Sequence, residues 1–439
     1  MLDVQFICDN LDAVKTNCKN RNVSADVDRV VALDDERRQL ISTMQVKQQE
    51  ANAIAKSVGQ EKDPAKRQEK IALGKQRREE IVKDEAQLKQ VEADLKAAVS
   101  TIPNMTHPAA PVGGTPEDNK VIKTWGEPTK FDFKPKDHVT LAESLDLVDF
   151  EAGSAVAGQK FYFLKNEAVL LEIALIHFAF DTLLKKEYTP VITPDMARVD
   201  VLEGIGFMPR GEGTQIYSIA NTDLCLIATA EITLGGMHRD QIMEEAKLPL
   251  KYVGLSHCFR TEAGAPGRDT RGLYRVHQFT KVEMFAFCVP EESDAIHEEI
   301  LAIEESIFQG LGLPYHVIDT CTGDLGGPAY RKYDIEAWMP ARGQAGEYGE
   351  VTSTSNCTDF QSRRLNIRYK PSPLAPLSGA EGKKAPKGTR FVHTLNGTAV
   401  AVSRALVAIL ENYQQPDGSI TIPPVLRPYM GGRERITRK

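Results

Sequence analysis

Residues near 27 to 99 are rich in Lys, Arg, Glu, Gln and Ala and contain almost no aromatic residues. In the first half, apolar positions follow steps of three and four residues or their sum, the period of a coiled-coil seam: Val30, Leu33, Leu40, Met44, Ala51, Ile54 and Val58. Gly, Asp and Pro interrupt the pattern near 59 to 64, and it resumes at Ile71, Ile81, Leu88 and Leu95. The pattern predicts two long helices joined by a short turn, which form a projecting antiparallel hairpin.

Basic residues cluster near the predicted turn and at the start of the second helix: Lys66, Arg67, Lys70, Lys75, Arg77 and Arg78. They could place positive charge along a phosphate backbone. Acidic residues are interleaved with them, so a solvated helix face is the simpler interpretation. From these residues alone, the arm is either a spacer or a binding device.

The stretch 102–128 is dense in Pro and Gly and is predicted to link the arm to a second domain. We therefore expect an N-terminal domain at 1–101, a linker at 102–128 and a second domain at 129–439. Within the second domain we predict helices near 167–186, 291–311 and 398–412, and strands near 250–260, 272–287 and 347–356. Because the strands come in neighbouring pairs, the fold class is α+β, a mostly antiparallel sheet flanked by helices.

Composition restricts the binding partners and the cell compartment that we expect for the protein. The 439 residues carry a formal net charge of −7, so a nucleic-acid partner would have to bind to local basic patches. Seven cysteines without a CxxC pair are typical of reduced, cytoplasmic thiols, and the absence of clustered Cys and His argues against zinc. The start of the chain has no leader-like pattern, and no segment has the roughly 18 consecutive apolar residues of a membrane span. We expect a cytoplasmic protein with no membrane partner.

The second strand of the segment 252–287 carries an unusual set of side chains. Alternate residues of a strand share one face, and here they are Arg275, His277, Phe279, Lys281 and Glu283. A ring for stacking on a base, cations for phosphates and a carboxylate for an ammonium or hydroxyl suit a nucleotide plus a small zwitterion. A solvent-exposed face with compensating charges is the alternative. The sequence contains neither GxxxxGK[ST] nor GxGxxG, which removes the usual phosphate loops.

Two further positions carry chemistry. Arg404 is the only charge between Ala399 and Leu410, in an otherwise almost wholly apolar run. A buried guanidinium without a partner costs on the order of several kcal/mol, so Arg404 requires an anion, either a ligand or an internal carboxylate. Glu350 and Ser353 offer hard oxygen ligands of the kind that Mg²⁺ prefers, although a Glu and a Ser on a strand mean little by themselves.

The sequence FRTEAGAPGRDTRGLYRVHQFTKVEMF, at 259–285, resembles motif two of class II aminoacyl-tRNA synthetases in the form found in seryl-tRNA synthetases. Further segments match that family in the expected order: TAE at 229–231, EVTSTSNCTDFQSRR at 350–364 and TLNGTAVAVSRALVAILENYQ at 394–414. The resemblance spans essentially the whole chain. It implies a class II catalytic domain and an N-terminal coiled-coil arm that grips tRNA.

The resemblance also implies functional residues by position. The implied catalytic residues are Arg260, Glu283 and Arg404. The implied serine site consists of Thr229, Ala230, Glu231, Arg260, Glu283 and Thr398. The implied ATP site consists of Arg260, Thr261, Glu262, Arg275, Phe279, Glu350, Val351, Thr352, Ser353 and Arg404, with Glu350 and Ser353 also matching the Mg²⁺ positions.

The implied reaction is activation of L-serine by ATP to seryl-adenylate, followed by transfer to tRNA(Ser) and also to tRNA(Sec). A loop at 263–272, with Arg268 and Arg271, is expected to approach the acceptor end of the tRNA. The segment LLEIALIHFAFDTLLKKEYTPVITPDMAR resembles motif one, whose proline, here Pro194, lies at a dimer interface, so we expect a homodimer. Taken alone, this segment is also ordinary core structure.

The chain departs mildly from the family pattern. Thr352 and Thr354 replace smaller residues of the common EISSCSNC, and the family's GTG is replaced by Gly-Ile-Gly at 204–206. Two rival functions remain: a paralogue that passes an aminoacyl group to a carrier protein, and a non-catalytic relative that kept the fold. The predicted arm argues against the first rival, and retention of Arg260, Glu283 and Arg404 argues against the second.

Overall fold

A computed structural model describes residues 1–207, 214–263, 271–372 and 388–438. The chain divides into two compact units, Met1–Met105 and Thr106–Lys439. Within the described residues, no helix is long and apolar enough to cross a membrane.

The first unit is entirely helical. Its helices are α1 (Val4–Asp9), α2 (Leu11–Asn20), α3 (Val27–Gln60) and α4 (Pro64–Ser100). The Asp26 side chain caps α3, and Asp63 accepts hydrogen bonds from the first backbone N–H groups of α4, whose first residue is Pro64. The predicted helical hairpin is confirmed, with its turn at 61–63.

The base of the hairpin holds the core of this unit. Val30, Leu33, Val91, Leu95 and Val99 are buried together with apolar residues of α1 and α2. Near the start of α4, the prediction that Ile71 belongs to the seam is wrong, because Ile71 is 46 % exposed. Gly74 takes the inward position instead, since a Cβ on Gly74 would lie 3.4 Å from Ile54. A glycine carries no apolar signal, so the heptad count missed this position.

The second unit is built on an eight-stranded sheet, in the order β1-β10-β11-β12-β15-β9-β8-β4. All neighbouring pairs are antiparallel except β4 with β8, so the α+β class with a mostly antiparallel sheet is confirmed. The strands of this sheet are β1 (Lys120–Trp125), β4 (Thr189–Ile192), β8 (Leu250–Phe259), β9 (Gln278–Cys288), β10 (Tyr315–Asp319), β11 (Arg331–Met339), β12 (Glu347–Asn356) and β15 (His393–Ala401). Strand β1 lies inside the stretch 102–128 that we interpreted as a linker.

Short strands form four small sheets around the large one. They are β2 (Val148–Asp149) with β3 (Phe163–Leu164), β5 (Met196–Arg198) with β6 (Leu224–Leu226), β7 (Ile242–Glu244) with β13 (Arg368–Lys370) and β14 (Arg390–Phe391), and β16 (Ile420–Thr421) with β17 (Arg435–Ile436).

The helices of this unit are α5 (His138–Ser144), α6 (Phe150–Ala157), α7 (Glu167–Leu184), α8 (Val199–Ile205), α9 (Ala230–Gly236), α10 (Ser293–Leu311), α11 (Phe360–Leu365) and α12 (Val402–Asn412). They cover both faces of the sheet. On β9, Val282, Met284 and Ala286 belong to the core shared with α7, α10 and α12. The alternate residues Phe285 and Phe287 belong to a second core shared with α8, α9 and α11.

Two predicted elements are wrong in their bounds. The strand expected from 272 begins only at Gln278, so Arg275 and His277 lie before it. The helix expected from 398 begins only at Val402, because 393–401 form β15, which pairs with β9 and β12 in the interior of the sheet. Strand pairing between distant segments overrides local helical preference at this point.

Candidate active site

A cavity of about 470 Å³ opens beside strands β9, β12 and β15 and the starts of α9 and α12. Most of the residues expected to bind substrates line it: Thr229, Glu231, Arg260, Glu262, Arg275, Phe279, Glu283, Glu350, Val351, Thr352, Ser353, Thr398 and Arg404. They come from five separate stretches of the chain. The cavity has the size and polar lining of a small-molecule site.

Carboxylates occupy the end of the cavity next to α9. Thr229 caps this helix, its hydroxyl accepting a hydrogen bond of 3.2 Å from the backbone N–H of Glu231. The Glu231 carboxylate accepts hydrogen bonds from the amides of Gln361, at 2.7 Å, and Asn396, at 3.0 Å. Loss of solvent around this group, and then the negative charge of Glu283, raise the pKa of Glu231 to about 7. A ligand ammonium at this position would therefore stabilise the ionised form.

Glu283 lies at the centre of a buried polar group. Its carboxylate accepts a hydrogen bond of 3.1 Å from the Thr398 hydroxyl and forms an ion pair of 2.5 Å with Lys281. All three residues are buried, Glu283 with 2 % exposure. Gly254 lies opposite Glu283 on β8, and a Cβ there would come within 2.9 Å of Leu234 on α9. A side chain at 254 would therefore displace the Leu234 side chain.

Two β-bulges direct side chains into the cavity. In β12, Glu350 and Thr352 pair with consecutive residues of β11, which leaves Val351 as an extra residue. The bulge interrupts the alternation of faces, and four consecutive residues, from Glu350 to Ser353, line the cavity. In β15 the same shift falls at Ala399, and Thr398 and Ala401 both line the cavity.

Arg404 lies in the first turn of α12 and contacts Glu350. Its Nη1 donates to the Glu350 carboxylate at 2.9 Å and to the Glu350 carbonyl at 3.0 Å, and its guanidinium lies 4.8 Å from the Tyr274 ring. The internal carboxylate that Arg404 required is thus present. Burial by itself would raise the pKa of Glu350, but the positive charges of Arg404, Lys332 and Arg260 outweigh burial and lower it. Glu350 therefore stays ionised.

Arg260 follows the end of β8 and lies over the Phe279 ring, 5.2 Å from its centre. Its Nε donates to the carbonyl of Ala228 at 3.3 Å. Nearby, Arg275 and Glu262 form an ion pair of 3.3 Å. Glu262 has a φ of +53°, a left-handed conformation that non-glycine residues adopt mainly where the surrounding structure enforces it.

Some expected residues lie away from the cavity. Ala230 is the first residue of α9, and it is fully buried in the core between this helix and the sheet. The Thr261 hydroxyl donates to the carbonyl of Thr214, outside the cavity lining. His277, which we expected on the same face as Glu283, instead hydrogen-bonds with the Arg260 carbonyl at 2.8 Å and does not line the cavity, because the strand begins after it. Arg268 lies outside the described residues, and Arg271 forms an ion pair with Glu143.

The site also contains residues that the sequence analysis did not assign to it. Lys281 was visible in the alternating pattern but was not given a role. Asn396 lines the cavity, and Gln361 holds Glu231 from behind. Lys332 lines it too, paired with buried Asp334 at 3.0 Å. Asn396 and Gln361 lie within the matched segments 394–414 and 350–364, but an Asn or a Gln has no distinctive spacing that would single it out there.

A divalent ion would have few protein ligands at this site. In the described parts of the chain, no group of three or more His, Cys, Asp or Glu could hold a metal by itself. Glu350 and Ser353 would supply two hard oxygen ligands, and the cations around Glu350 favour its ionised form. This donor set fits Mg²⁺, which typically takes one or two protein ligands plus phosphate and water.

Comparison with known proteins identifies the family. Residues 1–106 match the family model described as the seryl-tRNA synthetase N-terminal domain, and residues 217–413 match the class II tRNA synthetase core domain (G, H, P, S and T). A serine–tRNA ligase from Treponema denticola is 57 % identical over 431 residues, covering 98 % of this chain and 99 % of the relative. The chain belongs to the seryl-tRNA synthetase family. It is therefore an enzyme, an aminoacyl-tRNA synthetase of class II.

Solved structures of the seryl-tRNA synthetase family agree with this assignment. The enzyme from Pyrococcus horikoshii, complexed with ATP, superposes with a TM-score of 0.89 at 40 % identity, over 100 % of both chains. The cytoplasmic serine–tRNA ligase of Naegleria fowleri, in complex with AMP, gives 0.86 at 33 % identity, over 100 % of this chain and 99 % of the other. Seryl-tRNA synthetases of distant organisms thus share the architecture described above.

Proposed function

We propose that this enzyme uses ATP to activate L-serine as seryl-adenylate in the cavity, and then transfers the seryl group to tRNA(Ser). The observation that carries the proposal is the convergence of Arg260, Glu283 and Arg404 on one cavity, although they are far apart in the chain. Two cations and a buried carboxylate in one cavity suit a triphosphate and a small zwitterion.

The serine half of the site is formed by Glu231, Glu283, Thr398 and Arg260. Arg260 faces the serine carboxylate, Glu231 takes the α-ammonium, and the Glu283–Thr398 pair takes the side-chain hydroxyl. A pocket that hydrogen-bonds a hydroxyl rejects an analogue without one, because its own buried polar groups are left unpaired. Alanine is excluded for that reason.

The ATP half lies between Phe279 and Arg404. The Phe279 ring stacks under the adenine, Glu262 and Arg275 border the base, and Arg404 binds the phosphates. The relatives solved with ATP and with AMP support the binding of a nucleotide by this family. Glu350 and Ser353 would hold Mg²⁺, which supplies charge neutralisation for the phosphates when bound.

Catalysis in this proposal is positioning and electrostatics. A serine carboxylate oxygen forms a bond to the α-phosphorus as the bond to the leaving pyrophosphate breaks, and Arg260 stabilises the charge that develops. In the second step a terminal ribose hydroxyl of the tRNA attacks the seryl carbonyl, loses its proton, and AMP leaves. No nucleophile from the protein is required in either step.

The arm is the proposed tRNA-binding element, and tRNA(Sec) is a second proposed substrate. Lys66, Arg67 and Arg78 are exposed on α4, whereas Lys70 pairs with Glu61 and Arg77 with Glu50 and Glu80. Exposed cations near the hairpin turn support phosphate binding.

A homodimer is the proposed assembly. Large apolar side chains remain exposed on α7 and on edge strand β4, among them Ile173 and Ile192, with Ile192 81 % exposed. Exposed apolar surface of this kind marks an interface, and Pro194 follows this strand. We place the enzyme in the cytoplasm, which fits the seven cysteines, all of which are described and none of which forms a disulfide.

Serine-dependent exchange of pyrophosphate into ATP tests the activation step. We expect exchange with serine and none with alanine. Absence of exchange with serine would support the non-catalytic alternative. Charging of purified tRNA(Ser) and tRNA(Sec) tests the second step, because failure of charging with intact exchange would favour a carrier protein as acceptor. Chelation followed by addition of Mg²⁺, in wild type and Ser353→Ala, tests the metal site.

A further inference from the structure

Helix α5 begins with a histidine, His138, that does not line the cavity. The N-terminus of this helix is capped by the Asp137 side chain. The His138 side chain lies between α12 and the stretch that precedes β9, and only 12 % of it is exposed.

On one side, His138 contacts buried Glu411, which is two turns beyond Arg404 on α12. The Glu411 Oε1 atom accepts from the backbone N–H of His138 at 3.2 Å and lies 3.0 Å from its Nδ1. The Oε2 atom accepts from the backbone N–H of Ala341 at 3.0 Å. Glu411 is therefore a fixed acceptor.

On the other side, the backbone N–H of Leu273 donates to Nε2 of His138 at 3.1 Å. Because Nε2 accepts, it carries no proton, and the proton of the neutral ring is on Nδ1, where it is donated to Glu411. The preceding Gly272 has a φ of +94°, and a Cβ there would come within 2.2 Å of Nε2. Glycine is thus required for the backbone to approach the imidazole this closely.

The residue after Leu273 is part of the active site. Tyr274 lines the cavity, its hydroxyl donates to the Glu350 carbonyl at 3.1 Å, and its ring contacts the guanidinium of Arg404 at 4.8 Å. Arg342 lies 4.0 Å from the same ring. The backbone position of Leu273 consequently determines where the ring that supports Arg404 lies.

We propose that His138 is a positioning residue for the ATP half of the site. It acts through the hydrogen bond that Nε2 accepts from the Leu273 N–H, and so places Tyr274 against Arg404 and Glu350, while the backbone N–H of residue 138 keeps its own contact with Glu411. This inference rests on the proposed function of the cavity. It predicts that His138 affects the binding of ATP and leaves the binding of serine unchanged, because Tyr274, Glu350 and Arg404 belong to the proposed ATP half.

Two substitutions separate the two hydrogen bonds of the imidazole. His138→Gln retains an acceptor at the distance of Nε2, for Leu273, and His138→Asn retains a donor at the distance of Nδ1, for Glu411. In pyrophosphate exchange, we expect His138→Asn and His138→Ala to raise the KM for ATP about tenfold, the effect of losing one positioning hydrogen bond. His138→Gln should stay within about twofold of wild type, and the KM for serine should not change. His238→Asn is the matched control, since His238 also has two hydrogen-bond partners, Gln241 and Tyr252, and does not line the cavity.

Calorimetric titration with ATP and Mg²⁺ gives a readout that needs no serine. Equal ATP affinities of the Asn and Gln variants would overturn the inference, even if His138→Ala does not fold. A parallel rise of both KM values with a lowered melting temperature would also overturn it, because that is the result of a purely structural role. Failure of serine-dependent exchange in the wild type would instead count against the proposed function, and the titrations would still decide the role of His138.

Discussion

Glu283 and Thr398 lie directly opposite each other on β9 and β15, and the Thr398 hydroxyl donates a 3.1 Å hydrogen bond to the Glu283 carboxylate. Lys281, two residues earlier on the same face, completes a buried group with Glu283. Thr398 contacts Glu283 only because two segments that are distant in the chain pair as neighbouring strands.

Replacement of Glu283 by glutamine tests the proposed serine site. The variant keeps the volume and an acceptor for Thr398 but removes the carboxylate that is paired with the buried Lys281 ammonium, so we expect serine-dependent exchange to fall at least about 100-fold. The exposed Glu292→Gln is the control and should be unaffected. Exchange within a few-fold of wild type would remove Glu283 from the site.

Glu231 should make stability depend on pH. Its pKa of about 7 in the folded protein lies above the ordinary value of 4.5, so between these pH values the folded state holds more protons than the unfolded chain. Its contribution to the free energy of unfolding therefore falls as pH rises through this window. The free energy of unfolding of Glu231→Gln, taken relative to that of wild type, should therefore rise by on the order of 3 kcal/mol from pH 5 to pH 8. Urea unfolding at the two pH values measures this difference.

The control for this measurement is Glu92→Gln, an exposed carboxylate on α4. Its difference from wild type should be the same at both pH values. If Glu231→Gln behaves in the same way as this control, the carboxyl group of Glu231 does not titrate near neutrality.

Arg404→Lys tests the ATP half. The planar guanidinium rests on Tyr274 and binds Glu350 through Nη1, which leaves its other nitrogens to bind phosphate, whereas lysine has one ammonium and does not stack in the same way. We expect the KM for ATP in the exchange assay to rise about tenfold or more. Arg435→Lys, on strand β17, serves as the control, and an unchanged KM would argue that Arg404 acts only within the protein.

Shortening the arm should separate activation from charging. Replacing residues 42–88 by a short Gly-Ser turn retains the apolar base around Val30, Leu33, Val91 and Leu95. We expect exchange to stay within about twofold and charging of tRNA(Ser) to fall at least about 100-fold, because the phosphate contacts are lost. Equal loss of both activities would contradict this division of labour.

A charge reversal gives a milder version of the same test. Substitution of Lys66, Arg67 and Arg78 by glutamate should raise the KM for tRNA and reduce its dependence on salt, while exchange is unchanged. Lys96→Glu, near the base of the arm, is the control and should leave both unchanged.

The helical hairpin could be predicted from sequence, since its heptad pattern is a local property that a helix expresses wherever it occurs. The error at Ile71 arose because Gly74, which faces the other helix, has no apolar side chain to count. The segments that carry Arg260, Glu283 and Arg404 were likewise recognisable, because each is a short run of characteristic residues.

Tertiary structure alone decided how those segments meet. The bulges at Val351 and Ala399 place Glu350 with Ser353, and Thr398 with Ala401, on the cavity side, and they depend on the register between distant strands. Burial next to Glu283 determines the pKa of Glu231, which no neighbour in sequence could have indicated. The sequence by itself determined the helical arm and the chemical groups available, whereas strand pairing and desolvation determined their positions and charges, because both depend on residues far apart in the chain.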